Sequence, residues 1–150
     1  MPLVQKITDD MKAAMKSGDK TRLEVIRFAI AGLQAAQKEK QSKEPGAVLT
    51  DEEVISLLQK DAKRRKESIE LFGQGGRNDL VEQEATQLAM LSEYLPKELS
   101  REEIAMMVDA AMAAGSNDFS SLMKETMKAV KGRADGKQVG EIIKEKLGTV

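Results

Sequence analysis

Apolar residues recur every three or four positions in seven separate segments of this chain, and that spacing places them along one face of an α-helix. Aromatic residues make up only 3% of the sequence and proline occurs three times, whereas alanine, leucine, methionine, lysine and glutamate are common. That composition favours helices over strands, so the sequence predicts an all-α protein. The seven expected helices cover about residues 2–16, 20–41, 50–72, 79–94, 101–114, 118–131 and 135–148.

The pair Leu95-Pro96 is the predicted boundary between two domains. Proline disfavours helical geometry at the residue before it, so the fourth helix is expected to end there. Ser100 and Glu103 then have the spacing of a capping box, and a shorter apolar rhythm follows them. We therefore expect a bundle of about four helices over residues 1–95 and a small three-helix domain over residues 96–150.

The absence of cysteine and histidine excludes several kinds of active site. A chain without cysteine has no disulfide, no thiolate zinc site and no cysteine nucleophile. A chain without histidine has no Ser-His-Asp triad, no histidine base and no histidine metal ligand. Phosphoryl transfer and the chemistry of paired carboxylates or lysines remain open, but each of them requires a motif.

Two motifs that could serve such chemistry have simpler explanations. The glycines at 73, 75 and 76 lack the lysine and the preceding strand of a phosphate-binding loop, so they favour a plain connection between helices. The acids at 51–53 and 102–103 stand at helix starts, where carboxylates bind free backbone N–H groups. We therefore expect no catalytic residue, no cofactor and no metal ion.

Charge is balanced overall but unevenly distributed along the chain. The 24 basic and 25 acidic side chains give a net charge of −1. Residues 1–76 carry +2, residues 77–118 carry −6 and residues 119–150 carry +3. A polyanion should therefore avoid the middle of the chain and approach its ends.

The turn between the sixth and seventh helices is the strongest candidate for anion binding. Lys124, Lys128 and Lys131 have the spacing that puts them on one helix face, and Gly136 opens the next helix, whose free N–H groups favour anions. Lysines near a helix C-terminus are also favoured by the helix dipole alone, and the two interpretations are equally supported. The candidate nucleic-acid-binding residues are Lys124, Lys128, Lys131, Gly132, Arg133, Gly136 and Lys137.

A second basic patch lies on the third expected helix. Lys60, Lys63 and Arg64 share one face within about 100° of helix rotation, and Glu67 partly neutralises them. A polyanion could bind this patch. The simpler interpretation is a solvated helix face with i,i+4 ion pairs, such as Lys63–Glu67.

The nine methionines and the N-terminal residues bear on partner surfaces and on location. Most methionines have core spacing, but Met106 and Met112 fall outside the apolar stripe and could belong to a partner surface. The first sixteen residues alternate charged and apolar types, unlike a signal peptide or a membrane span. A cytoplasmic protein without a membrane partner is expected.

Several stretches resemble the YqeY family, which is itself similar to the C-terminal tail of GatB, a subunit of glutamine-dependent aminoacyl-tRNA amidotransferase. The resemblance covers nearly the whole chain, and together the stretches are specific. They are residues 22–27, 49–54, 64–69, 76–80, 93–96, 99–100, 130–136, 139 and 144–147. One departure is Ser120, where the family pattern leads us to expect glycine.

The resemblance implies an N-terminal helical domain, a GatB/YqeY-like C-terminal domain and binding of tRNA or another RNA without catalysis. In the amidotransferase the related tail helps hold tRNA while other parts of the enzyme perform the chemistry. An amidotransferase or synthetase protein is a further implied partner. Two alternatives stay open: a carbon–nitrogen ligase, or its subunit, that uses glutamine as amide donor, and a protein–protein adaptor.

Overall fold

The computed structural model describes residues 1–148, and over that range it contains seven α-helices and no strand. The all-α prediction is therefore confirmed. Residues 149 and 150 of the expected second domain lie outside the described part of the chain. The helices are α1 Leu3–Ser17, α2 Lys20–Lys43, α3 Asp51–Gln74, α4 Asn78–Ser92, α5 Arg101–Ala113, α6 Phe119–Val130 and α7 Gly136–Leu147.

Short polar side chains fix where most of these helices begin. The Thr50 hydroxyl accepts from the backbone N–H of Glu53 at 3.2 Å, and the Glu53 carboxylate accepts from the N–H of Thr50 at 3.1 Å. Ser100 and Glu103 form the same reciprocal pair at the start of α5. Both pairs satisfy N–H groups that have no partner within the helix. The capping box expected at Ser100 is confirmed, and Thr50 forms a second one.

The start of α4 differs from the sequence-based expectation. A helix that begins at residue 79, as the sequence predicts, would have Asn78 as its cap. In the structure Asn78 is already the first residue of the helix, and Arg77 takes the cap position without a side-chain cap bond. The Arg77 guanidinium instead binds the Asp79 carboxylate at 3.0 Å. This hydrogen bond lowers the pKa of Asp79 below its ordinary value.

The chain divides into two compact units, of which the first is Met1–Leu95 and the second begins at Pro96. In the first unit α3 and α4 form the most extensive helix pair, and α1 and α2 complete the bundle. The residues buried at its centre are Ile7, Val25, Ile26, Ala29, Leu33, Val54, Leu58, Ala62, Leu91 and Tyr94.

The second unit is built from α5, α6 and α7 around a smaller core. Two ion pairs join α5 to α7: Lys146 with Asp109 at 2.8 Å, and Arg101 with Glu145. The buried residues of this core are Leu99, Ile104, Val108, Leu122, Val130, Val139, Ile142 and Ile143. Between residues 1 and 148 no helix is both long enough and apolar enough to cross a lipid bilayer.

The side chain of Tyr94 hydrogen-bonds the C-terminal end of the first unit to α1. Its hydroxyl donates to the Asp10 carboxylate at 2.5 Å, and the residue is 9% exposed. Burial and this hydrogen bond raise the pKa of Tyr94 above its ordinary value of 10.0. Because the folded-state pKa is raised, the stability that Tyr94 contributes is complete below pH 10 and declines as the pH rises beyond it.

We expect the native protein to show no phenolate absorbance as the pH passes 10, because Tyr94 is the only tyrosine of the chain. The measurement is an ultraviolet absorbance titration with circular dichroism recorded on the same samples. Tyr94→Phe supplies the blank for the phenolate signal. A phenolate transition centred near pH 10 while the helical signal is intact would contradict the buried hydrogen bond.

Candidate nucleic-acid interface

The link between α6 and α7 brings the predicted basic turn into a defined geometry. The helix α6 ends at Val130, and Lys131 follows with φ 49° and ψ 46°, in the left-handed region. Gly132 also has a positive φ of 77°. Lys131 therefore caps the C-terminus of α6 and does not share the helix face of Lys124 and Lys128, which differs from the expectation based on spacing.

Four lysines of this turn are exposed to solvent. They are Lys124 and Lys128 on α6, Lys131 at its cap and Lys137 in the first turn of α7. Within residues 1–148, Lys124, Lys128 and Lys137 have no acidic side chain as an ion-pair partner. Three ammonium groups are therefore available to an external anion, with Lys128 and Lys137 next to the turn and Lys124 midway along α6.

Arg133 lies in the same turn but has a structural role. It is half-buried, and its Nε donates to the backbone carbonyl of Lys97 at 2.8 Å. Its own carbonyl accepts from the N–H of Leu99 at 2.9 Å. Arg133 therefore joins the segment before α5 to the α6–α7 turn, and its replacement would change that packing as well as the charge.

The start of α7 is less open to anions than the sequence indicates. The Asp135 carboxylate accepts from the N–H of Lys137 at 3.3 Å, so an acidic group already occupies the positive end of the helix. At Gly136 an added Cβ would lie 3.6 Å from the Met123 methyl carbon, an ordinary contact distance. Close packing by the described residues therefore does not require glycine at this position.

Lys131→Gly should raise the free energy of unfolding by about 0.5–1 kcal/mol, since glycine adopts the left-handed conformation without the steric penalty of a side chain. Chemical denaturation measures this change. Lys128→Gly, a substitution inside the last turn of α6, is the matched control and should lower the free energy of unfolding by about 1 kcal/mol. Equal destabilisation by both substitutions would contradict the left-handed cap.

The second basic patch, formed by Lys60, Lys63 and Arg64, borders a cavity of about 460 Å³ between α2 and α3. All three residues are exposed. The Lys63–Glu67 ion pair expected from the sequence does not form among the described residues. Lys60 and Lys63 therefore have no acidic ion-pair partner among residues 1–148, whereas Arg64 contacts Asp61 at 3.8 Å.

Phe28 and Asp61 are candidate residues that the sequence reasoning missed. Phe28 is 52% exposed, and the guanidinium carbons of Arg64 and Arg65 each lie 5.7 Å from the centre of its ring. Asp61 is only 7% exposed although it is charged. The available signal is that Asp61 lies three positions after Leu58 and so has the helical phase of the core.

A buried polar network connects Asp61 to α4. Arg65 Nε lies 3.5 Å from Asp61 Oδ1, and an Arg65 terminal nitrogen donates to Gln87 Oε1 at 2.7 Å. The same nitrogen lies 3.3 Å from a carboxylate oxygen of Glu84. This network holds Arg65 in place, whereas Arg64 is 66% exposed at its side chain and has only a 3.8 Å contact with Asp61.

The exposure of Met106 and Met112 shows which of them could belong to a partner surface. Met106 is 71% exposed, as expected for a residue outside the apolar stripe, but Met112 packs against the core of the second unit, so that part of the prediction is wrong. In the described part of the chain no three acidic side chains converge closely enough to hold a metal ion.

Comparison with known proteins gives one family and several relatives. The model of the family described as Yqey-like protein matches residues 4–147. A protein of Pyrenophora tritici-repentis named altered inheritance of mitochondria protein 41, mitochondrial, is 33% identical over 97% of this chain and 81% of its own length. An uncharacterized protein of Schizosaccharomyces pombe is 33% identical over 64% of this chain and 71% of its own length.

Proposed function

The chain belongs to the Yqey-like protein family, and on that premise we propose that it is a helical module that binds RNA, with tRNA as the first candidate. The observation that carries the proposal is the group of exposed lysines at the α6–α7 turn, of which Lys124, Lys128 and Lys137 lack an acidic partner within residues 1–148. The same turn contains the stretch 130–136, which is one of the stretches that resemble the YqeY family.

The contacts expected at this turn are to phosphates. Lysine presents a compact charge without a planar face, so it binds phosphate oxygens and carries no information about base sequence. The acidic segment over residues 77–118, with a net charge of −6, repels the same ligand. Affinity should therefore be modest and should fall as the salt concentration rises.

This role needs no catalytic step, and each alternative has its own signature. A carbon–nitrogen ligase or its subunit would hydrolyse glutamine or consume ATP, alone or in a complex. A protein adaptor would retain its partner after nuclease treatment. Cytoplasmic location stays a prediction from the sequence, and the relative of Pyrenophora tritici-repentis carries the word mitochondrial in its name.

Changing Lys124, Lys128 and Lys137 together to alanine should weaken tRNA binding about 100- to 500-fold near 0.1 M salt, because each phosphate contact releases counterions that contribute about 0.7–0.9 of a decade of affinity at that concentration. Fluorescence anisotropy with labelled tRNA measures the change. All three residues are exposed and tolerate alanine, so the variant should fold.

The matched control replaces Lys12, Lys16 and Lys20 with alanine. These lysines are also exposed, and they lie in the first unit, so the total charge falls by the same amount without touching the turn. This variant should lose only a small part of the affinity. Equal losses in the two variants would contradict the placement of the interface at the α6–α7 turn.

A further inference from the structure

The cavity between α2 and α3 has the size and lining of a ligand site. Its volume of about 460 Å³ lies within the range of sites that take small organic ligands, which are mostly apolar with a few placed polar groups. Its apolar lining residues are Phe28, Ala29, Leu33, Leu57 and Leu58.

Gly32 lines this cavity, and no packing contact within residues 1–148 requires a glycine at this position. It stands in the interior of the 24-residue helix α2, where glycine is less stable than alanine. A Cβ built on Gly32 would meet no atom within 4 Å. No described neighbour therefore requires the glycine, and its bare backbone leaves room next to Phe28, which lies one helical turn earlier.

The polar groups of the cavity are three cations, one buried anion and the exposed carboxylate of Glu67, which offsets part of the positive charge. Lys60, Lys63 and Arg64 border it from α3. Asp61 also lines it, and its Oδ2 is buried without any hydrogen-bond partner among residues 1–148. A buried carboxylate oxygen without a donor is unfavourable, so a ligand that supplies an N–H group gains from reaching it.

We propose that this cavity binds an unpaired nucleotide, either free or within a single-stranded stretch of RNA. The base would stack on the Phe28 ring in the place that the Arg64 guanidinium takes in the free protein, as bases stack on aromatic planes. An amino group on the base edge would donate to Asp61 Oδ2, and the phosphate would bind Lys60 and Lys63. The site lies in the first unit and uses none of the lysines of the α6–α7 turn, so it is independent of the proposed tRNA contact.

In the proposed complex the Arg64 side chain moves when the base edge approaches Asp61. Its side chain is 66% exposed, and its only ion-pair contact with Asp61 is 3.8 Å long. A phosphate beside Lys60 and Lys63 would attract this guanidinium away from Phe28 and from Asp61 Oδ1. Arg65 stays in place through its hydrogen bond to Gln87, so the floor of the site keeps its shape.

A nucleotide accounts for more of the site than a peptide does. An acidic amphipathic helix could cover the apolar residues and pair with the cations. Its carboxylates, however, would leave Asp61 Oδ2 without a donor and would add like charge beside it. The base edge, the base plane and the phosphate of a nucleotide each have a partner in this cavity.

The test is a ¹⁵N-resolved NMR titration of the full chain with adenosine 5′-monophosphate, adenosine, ribose 5-phosphate and a single-stranded oligoadenylate. We expect the mononucleotide to shift the amide signals of Phe28, Gly32 and residues 57–67, and to bind at least tenfold more tightly than adenosine or ribose 5-phosphate. Tighter binding of the oligoadenylate than of the mononucleotide identifies RNA as the source, and equal binding identifies a free nucleotide.

Gly32→Leu should fill the cavity and reduce nucleotide affinity at least tenfold without unfolding the helix, because leucine is a good helix former. Ala31→Leu adds the same side chain to α2 outside the cavity lining and should leave the affinity unchanged. The Lys124, Lys128 and Lys137 triple alanine variant should also bind the mononucleotide normally, which separates this site from the tRNA interface.

Three results would overturn the proposal. One is the absence of shifts at the cavity with both the mononucleotide and the oligoadenylate. Another is an equal response to ribose 5-phosphate, which would make the patch a simple phosphate site. The last is a response to an acidic amphipathic peptide alone, which would make the cavity a peptide groove.

Discussion

Arg65→Ala is expected to lower the free energy of unfolding by about 3–5 kcal/mol, the range typical for removing one partner of a buried ion pair. Arg65 and Asp61 have side chains that are 12% and 10% exposed, so little water can replace the lost guanidinium. The substitution leaves the Asp61 carboxylate buried with only the longer Arg64 contact. It also removes the hydrogen bond to Gln87, which is buried on α4.

The neighbouring residue provides the control, because Arg64→Ala removes the same side chain from an exposed position. That substitution should change the free energy of unfolding by no more than about 0.5 kcal/mol. Urea denaturation of both variants measures the difference. The Asp61→Ala, Arg65→Ala double variant should lose less stability than the sum of the single variants, since it leaves no unpaired buried charge. Similar losses for Arg64→Ala and Arg65→Ala would contradict the buried network.

Leu122→Ala is expected to destabilise the second unit by about 2–5 kcal/mol, the range for removing a buried leucine side chain from a core. Leu122 is fully buried on α6, and the core around it is small. A unit this small has a low free energy of unfolding, so a loss of this size should unfold it in a large fraction of molecules.

Hydrogen exchange resolves which helices lose protection. We expect the amides of α5, α6 and α7 to exchange faster, while those of α1–α4 keep their protection because the first unit has its own buried core. Met106→Ala, at an exposed position of α5, is the control and should change little. Loss of protection in α1–α4 as large as in α5–α7 would contradict the description of two separate cores.

Most of the helices could be predicted because two kinds of local signal agree in them. Apolar spacing gives the phase of a helix, and a capping box such as Ser100–Glu103 gives its first residue. Both signals depend on residues a few positions apart, so they need no knowledge of tertiary contacts. The error at Asn78 arose because Arg77 and Asp79 pair with each other, and this pairing accompanies a helix start without a side-chain cap.

The candidate sites were less predictable because they depend on contacts between distant segments. Phe28 is exposed on a helix whose apolar face is broad, and spacing alone does not say which of its residues meet a neighbour. Asp61 and Arg65 are four positions apart on α3, a spacing that the sequence shows, but the bond from Arg65 to Gln87 on α4 joins two helices and has no local signal. Arg133 looked like an anion ligand in the sequence because its bond to Lys97, 36 positions earlier, has no local signature.

The basic turn could be predicted because its charges are close in sequence. The conformation of its backbone could not be predicted in the same way. The spacing of Lys124, Lys128 and Lys131 predicts that all three lie on one face of a continuous helix. In the structure the helix ends at Val130, and Lys131 adopts a left-handed conformation that turns the chain before Gly132. Left-handed lysine is rare enough that spacing rules do not anticipate it.

The salt dependence of tRNA binding tests the central claim most directly. The logarithm of the association constant, measured for the full chain against the logarithm of salt concentration, should fall with a slope of about −2 to −4, corresponding to roughly three to five phosphate contacts. In the Lys124, Lys128 and Lys137 triple alanine variant the slope should become shallower by about 2–3, and in the Lys12, Lys16 and Lys20 variant it should be nearly unchanged. An absence of tRNA affinity even at low salt, or the same slope in all three proteins, would contradict RNA binding at the α6–α7 turn.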